Sequence, residues 1–196
     1  MNNPQSLLRK KLPRKITERY PPPETGIKYS AVLLLLRQEP DAWHVLLTRR
    51  SSRLADHRGQ IAFPGGRAET GDSGPFQTAL REACEEVGFP PVAVRPLGLL
   101  DPLDTASGFR IWPVVGVIRR EVELLPSPPE VDETFWVPLD WLAAGGRWER
   151  RSVADADGGG MRTAVFFQPY MGRVIWGATA EIMVQLLFIL RVNGTE

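Results

Sequence analysis

Gly65-Gly66-Arg67-Ala68-Glu69-Thr70-Gly71-Asp72, followed nine residues on by Arg81-Glu82-Ala83-Cys84-Glu85-Glu86-Val87-Gly88-Phe89, decides how this 196-residue chain folds. Wound as an α-helix, the second half places Glu82, Glu85 and Glu86 within about 100° of one another and collects Phe76, Leu80, Ala83, Cys84 and Val87 on the other side. One face is core and the other is carboxylate. Glu82 and Glu86 are like charges one helical turn apart, which disfavours a bare helix, and Arg81 lies close enough to Glu85 to offset only part of that repulsion. A hard divalent cation resolves the conflict, because Mg²⁺ and Mn²⁺ take oxygen ligands and bind through one or two carboxylates together with substrate phosphates. The Gly65-Gly66 pair, with no Cβ atoms, lets the backbone approach a metal or phosphate closely.

The segment resembles the signature of the Nudix hydrolases: a glycine, a carboxylate six residues later, then Arg-Glu, an apolar residue, any residue, Glu-Glu, any residue, Gly and an apolar residue. It departs twice, with Asp72 in place of the usual glutamate and eight rather than seven residues between that carboxylate and Arg81. Upstream, Leu46-Leu47-Thr48-Arg49-Arg50-Ser51 and His57-Arg58-Gly59-Gln60-Ile61-Ala62-Phe63-Pro64-Gly65-Gly66 resemble the extra signature of the coenzyme A pyrophosphatase branch, which tolerates both departures. That branch has an arginine where this chain has Ala55, and Arg53 or Arg58 is a candidate substitute. The specific motifs lie between residues 46 and 89, while the looser likeness extends over residues 30 to 190.

The resemblance implies a catalytic set of Glu82, Glu85, Glu86 and Arg81. The three glutamates bind Mg²⁺ or Mn²⁺ or activate water, a carbonyl of the glycine turn, that of Gly66, adds a ligand, and Asp72 holds Arg81 in place. Which glutamate is the general base stays open, since family members differ. Some relatives draw a further ligand or base from outside the signature, and Glu130 and Glu133 are the candidates. Substrate contacts are expected from Arg49, Arg50, Arg53, His57, Arg58 and Gly65. Guanidinium groups suit the pyrophosphate and separate ribose phosphate of coenzyme A, and strand alternation predicts that about half of the basic set faces the site.

A formal net charge of +1 gives no global bias toward nucleic acid or membrane. The expected partner is a small nucleotide-type molecule, with neither nucleic acid nor membrane, and the sequence leaves the oligomeric state open. Residues 1–29 form a basic, proline-rich arm, in which Arg9, Lys10, Lys11, Arg14, Lys15 and Arg19 precede Pro21-Pro22-Pro23 against a single acid, Glu18. The arm lacks the apolar core of a secretory signal and is expected to be solvated or loosely packed. Ile182 to Leu190 is too short to span a bilayer, which points to the cytoplasm. Cys84 has no partner for an intramolecular disulfide and reads as a packing residue.

Residues 30–196 read as one hydrolase domain. Strands are expected at 31–36, 44–48, 61–63, 94–101, 111–118 and 135–137, with a weak edge strand at 121–125. The motif helix covers 76–87 and closes at Gly88, and further helices span 140–144 and 179–192. Asp155 to Gly160 reads as a hairpin turn rather than a calcium loop. Strands and helices interleave, which predicts an α/β fold with a mixed sheet between helices; the resemblance sharpens this to an α/β/α sandwich. Two rival functions remain, a pyrophosphatase acting on ADP-ribose, another dinucleotide or a nucleoside triphosphate, and a non-catalytic nucleotide-binding module, although such a module is expected to lose signature glutamates.

Overall fold

The computed structural model describes residues 4–22, 24–54, 56–118, 121–154 and 159–191. Ala55, Asp155 to Gly158 of the expected turn and Val192 of the last helix lie outside them. In chain order the elements are α1 (Pro4–Lys11), β1 (Lys28–Gln38), β2 (Trp43–Arg50), β3 (Ile61–Ala62), β4 (Gly65–Arg67), α2 (Pro75–Val87), β5 (Val94–Leu99), β6 (Leu103–Asp104), β7 (Phe109–Ile118), β8 (Val131–Pro138), α3 (Leu139–Ala143), β9 (Trp148–Ala154), β10 (Met161–Phe167) and α4 (Gly177–Arg191).

The run Ala31 to Leu36 is apolar without alternation, which is the pattern of a strand buried on both faces. It forms the middle of β1, the centre of an eight-stranded mixed sheet. β1 runs parallel to β7 from Lys28 against Phe109 to Leu36 against Val117, and antiparallel to β2 and β4. Alternation then sorts its side chains. Ala31, Leu33 and Leu35 pack with Ala79, Ala83 and Val87 of α2, while Leu34 and Leu36 pack with Ile182, Met183 and Leu186 of α4 and with Leu8 of α1. These two cores make the expected α/β/α sandwich. β9 and β10 form a separate two-stranded hairpin, and Phe166 of β10 also bridges Trp176.

Two expectations are corrected. Residues 121–125 form no strand; Val122 and Leu124 instead pack on the α2 side of the core, and Leu125 N–H donates to the Val87 carbonyl, capping the helix end. The segment before residue 30 is not a loose arm. Leu8 is fully buried, and Arg14 exchanges backbone hydrogen bonds with Leu99 at the edge of the sheet. Six cations in a short stretch conceal one well-placed leucine, because charge density reports solvation and says nothing of the apolar stripe between the charges. Among the described residues no helix is long and apolar enough to cross a membrane.

Candidate active site

Pro75 opens α2 at a position where its missing N–H loses no bond, and Gly88 closes it in the left-handed conformation with its N–H on the Cys84 carbonyl. Thirteen helical residues therefore deliver the carboxylates to the edge of β4. Glu85 is exposed, as expected. Glu86 is not on an exposed face: it is 5% exposed, and its Oε2 accepts the Gly65 N–H at 3.0 Å. Burial pushes the Glu86 carboxyl up to about 7, helped by the nearby charges of Glu130 and Glu82 and opposed by the Gly65 N–H and Arg50. Glu82 is raised too, through burial first, with Arg81 pulling the other way. Cys84 is partly buried against the core, and burial raises its thiol to about 11, in keeping with a packing role.

Arg81 is the hub. It donates to both carboxylate oxygens of Asp72 (Nε to Oδ1 3.3 Å, Nη2 to Oδ2 3.0 Å), to Glu82 Oε1 at 2.9 Å and to the Arg67 carbonyl at 3.1 Å. Glu85 lies 3.5 Å from Nη1. Burial alone would raise Asp72, but donations from Arg81, the Glu69 N–H and Thr78 outweigh it and hold the carboxyl below its ordinary value. The sequence-derived pairing of Asp72 with Arg81 is thus present in the fold.

Among the described residues no three acidic, histidine or cysteine side chains already converge as a metal cage. Arg81 holds Glu82 and lies beside Glu85, and Glu86 is turned onto Gly65, which together with Gly66 lies in β4, paired with β1, rather than in the expected turn. The donor set nevertheless suits a hard divalent cation. Glu86 is a buried carboxylate whose charge is only partly compensated, and Glu82 lies against Gly66 so closely that a Cβ there would overlap its carboxylate.

The two glycines are not equivalent. Gly65 has φ 152°, and a Cβ on it would strike the backbone of Ala31 and Val32, whereas the three atoms nearest a Cβ on Gly66 all belong to the Glu82 carboxylate, the far end of a flexible side chain. Gly65→Ala is therefore expected to destabilise the fold by about 2 to 3 kcal/mol, through overpacking against main chain. Gly66→Ala is expected to keep the melting temperature while displacing Glu82 and weakening Mn²⁺ binding. Thermal denaturation and metal titration of the two variants separate these outcomes.

The basic set divides along β2, as alternation predicts. Arg50 lies on the α2 side, with Nη1 3.8 Å from Glu86 Oε1, and its Nε is buried without a hydrogen-bond partner among the described residues. Arg49 follows Leu47 to the opposite face, where it meets Glu133 at 2.8 Å; Glu133 is also bonded by Arg173, which holds its carboxyl below the ordinary value. The structure thus does not bring Arg49 or Glu133 to the carboxylate helix. Glu130 precedes β8 close enough to act on the charges of Glu82 and Glu86, and its carbonyl accepts the Ser51 N–H. Arg53, His57 and Arg58 sit exposed on the loop after β2; Arg58 Nε donates to the Leu54 carbonyl at 2.7 Å, and His57 adopts φ 58° with Nδ1 2.9 Å from Gln60 Oε1. Sequence reasoning missed Thr78 and Tyr20, which join the Asp72 network. A buried threonine on a helix and a tyrosine in a basic segment carry no local signal of that role.

A carboxylate-lined helix thus packs against a strand that opens on two glycines, in an α/β/α sandwich. A model of the NUDIX domain matches residues 28–156. Among curated proteins, the uncharacterized Nudix hydrolase NudL of Pectobacterium atrosepticum is 45% identical over 142 residues, covering 72% of each chain. NudL of Yersinia enterocolitica is 42% identical over 160 residues, covering 81% of this chain and 79% of its own. Among solved structures, the Nudix hydrolase RenU from M. smegmatis is 26% identical with a TM-score of 0.51, covering 59% of this chain and 73% of its own. A MutT/nudix family protein from Enterococcus faecalis, 19% identical with a TM-score of 0.55 over 90% of this chain and 66% of its own, shares the fold. The chain belongs to the Nudix hydrolase family, pyrophosphohydrolases that act on small nucleotide-type substrates with divalent metals.

Proposed function

We propose that this protein hydrolyses the phosphoanhydride of coenzyme A or its acyl derivatives to 3′,5′-ADP and the corresponding phosphopantetheine, in the cytoplasm. The observation that carries the reading is Arg50. It belongs to the upstream segment that resembles the coenzyme A pyrophosphatase branch, and it stands 3.8 Å from Glu86 with a buried Nε that has no hydrogen-bond partner among the described residues. A buried guanidinium donor without an acceptor is costly, and a substrate phosphate would satisfy it.

Glu82, Glu85, Glu86 and the Gly66 carbonyl would hold Mg²⁺ or Mn²⁺. When bound, such an ion neutralises charge on the phosphates and lowers the pKa of a bound water. The protein's own residues do the rest. Gly65 N–H fixes Glu86 through Oε2, Asp72 keeps Arg81 in place, and Arg81 orients Glu82. The general base is drawn from Glu82, Glu85, Glu86 or Glu130. Arg53, His57 and Arg58, on the loop that follows Arg50, supply contacts to the remaining phosphate.

The distinguishing group of coenzyme A is its ribose 3′-phosphate, which dephospho-coenzyme A lacks. Losing one or two charge-assisted hydrogen bonds, each worth about 1.5 to 3 kcal/mol, should lower kcat/KM roughly tenfold or more for the dephospho compound. Replacing the responsible arginine should remove that preference and spare dephospho-coenzyme A. Chromatography of the products from coenzyme A, dephospho-coenzyme A, ADP-ribose and a nucleoside triphosphate with Mn²⁺ tests this. Equal hydrolysis of the first two, or a preference for ADP-ribose, would reassign the substrate.

A further inference from the structure

The segment before β1 lies outside the region matched by the family model, residues 28–156, yet it reaches the carboxylate helix through one chain of hydrogen bonds. Tyr20 Oη donates to Thr78 Oγ1 at 2.9 Å, and Thr78 Oγ1 donates to Asp72 Oδ2 at 2.8 Å. Asp72 takes Arg81 through both oxygens, and Arg81 holds Glu82 at 2.9 Å. Tyr20 is itself held, stacked on Tyr29 at 5.3 Å and edge-on to Trp112 at 6.0 Å. Burial lifts its phenol to about 12, so the hydroxyl remains a donor at any working pH. Beside it, Arg19 donates to the Ser73 carbonyl at 3.0 Å, and the Glu18 carbonyl lies so close to Gly74 that no Cβ would fit between them.

Thr78 is fully buried and has one hydroxyl proton with two acceptors in reach, Asp72 Oδ2 at 2.8 Å and the Gly74 carbonyl one turn back at 3.4 Å. A hydroxyl rotor settles according to its neighbours. The Asp72 carboxylate, charged and nearer, takes the threonine proton, and by donating into a Thr78 lone pair Tyr20 holds that hydroxyl in place and polarises it toward Asp72. Without that donation the bond from Thr78 to Asp72 is weaker, and Arg81 is held less firmly among the carboxylates it serves.

We infer that Tyr20, through Thr78 and Asp72, is a positioning residue for the carboxylate helix, so that the N-terminal segment sets the cation affinity of the site. The inference rests on Glu82, Glu85 and Glu86 being the cation ligands. Its test uses the full chain without substrate, titrated with Mn²⁺ and followed by electron paramagnetic resonance of the free ion, beside a melting curve. Tyr20→Phe, which keeps the stacked ring, and Thr78→Val should each weaken Mn²⁺ binding roughly three- to tenfold, the equivalent of one hydrogen bond. Thr78→Ser keeps the hydroxyl and should bind as the wild type does. So should Tyr29→Phe, which loses only a bond to the Pro22 carbonyl. The double variant Tyr20→Phe/Thr78→Val should be no weaker than Thr78→Val alone, because both act on one chain of bonds. If burial of the valine prevents folding, Tyr20→Phe against Tyr29→Phe carries the comparison. Unchanged Mn²⁺ affinity in Tyr20→Phe overturns the inference, as does an equal loss in Tyr29→Phe, which would make the effect one of packing. A wild type that binds no Mn²⁺, or binding untouched by Glu86→Gln, overturns instead the assignment of the cation site.

Discussion

Glu86→Gln should reduce turnover by at least about a hundredfold while the protein stays folded. Glutamine keeps the size and helix propensity of glutamate but removes the charge that faces Arg50, and its amide is a poor ligand for a hard cation. The stability effect has a definite sign. Burial raises the Glu86 carboxyl from its ordinary 4.5 to about 7, so in the metal-free protein its contribution is fully present below pH 4.5 and is lost as pH rises through 7. Glu86 therefore lowers the stability of the metal-free wild type by about 3 kcal/mol at alkaline pH relative to pH 4.5. Glutamine has no such dependence. The variant should melt at or above the wild-type temperature at pH 8 without metal, and should gain much less from added Mn²⁺, since binding of the ion requires a deprotonated carboxylate. Near-normal kcat at saturating Mg²⁺ would remove Glu86 from the mechanism.

Arg81→Ala should cost about 2 to 3 kcal/mol of stability, somewhat less than is typical for breaking a fully buried pair because the arginine is partly exposed. Asp72, with its side chain only 3% exposed, would keep just the Thr78 hydroxyl and the Glu69 N–H. Turnover should fall as well, because Glu82 loses the donor that orients it. Asp72 has a lowered pKa in the fold, so its stabilisation is present above its ordinary 3.8 and lost as pH falls through the folded value. The difference between wild type and Arg81→Ala should accordingly shrink in acid. In a double-mutant cycle with Asp72→Ala the coupling should exceed about 1 kcal/mol. Full additivity of the two substitutions would show that the bidentate pair contributes nothing.

Much of this architecture is visible along the chain because its signals are local. The unbroken apolar run from Ala31 to Leu36 requires two covered faces, the periodicity of Phe76 to Val87 requires a helix with one buried side, and Gly88 marks where that helix stops. The three glutamates are neighbours on one helical turn, and the pairing of Asp72 with Arg81, which the family resemblance implies, is present. The sequence by itself therefore determined the sandwich, the carboxylate helix and the family.

What the chain could not disclose depends on which residues meet across long separations. Glu86 reads as one of three exposed acids, but the approach of β4 to α2 buries it against the Gly65 N–H, and a buried carboxylate is a different chemical group from a solvated one. Arg49 and Arg50 are adjacent and chemically identical, yet the pleat of β2 sends one to Glu133 and the other to Glu86. Glu130, in the turn before β8, acts on Glu82 and Glu86, whereas Glu133 on β8 pairs with Arg49 and Arg173. The basic N-terminal segment reads as solvated until Leu8 enters the core and Tyr20 reaches Thr78, a contact across 58 residues of sequence. Local propensity encodes helix, strand and turn, whereas burial and pairing across the sheet, which tune charge, arise only when the chain closes on itself.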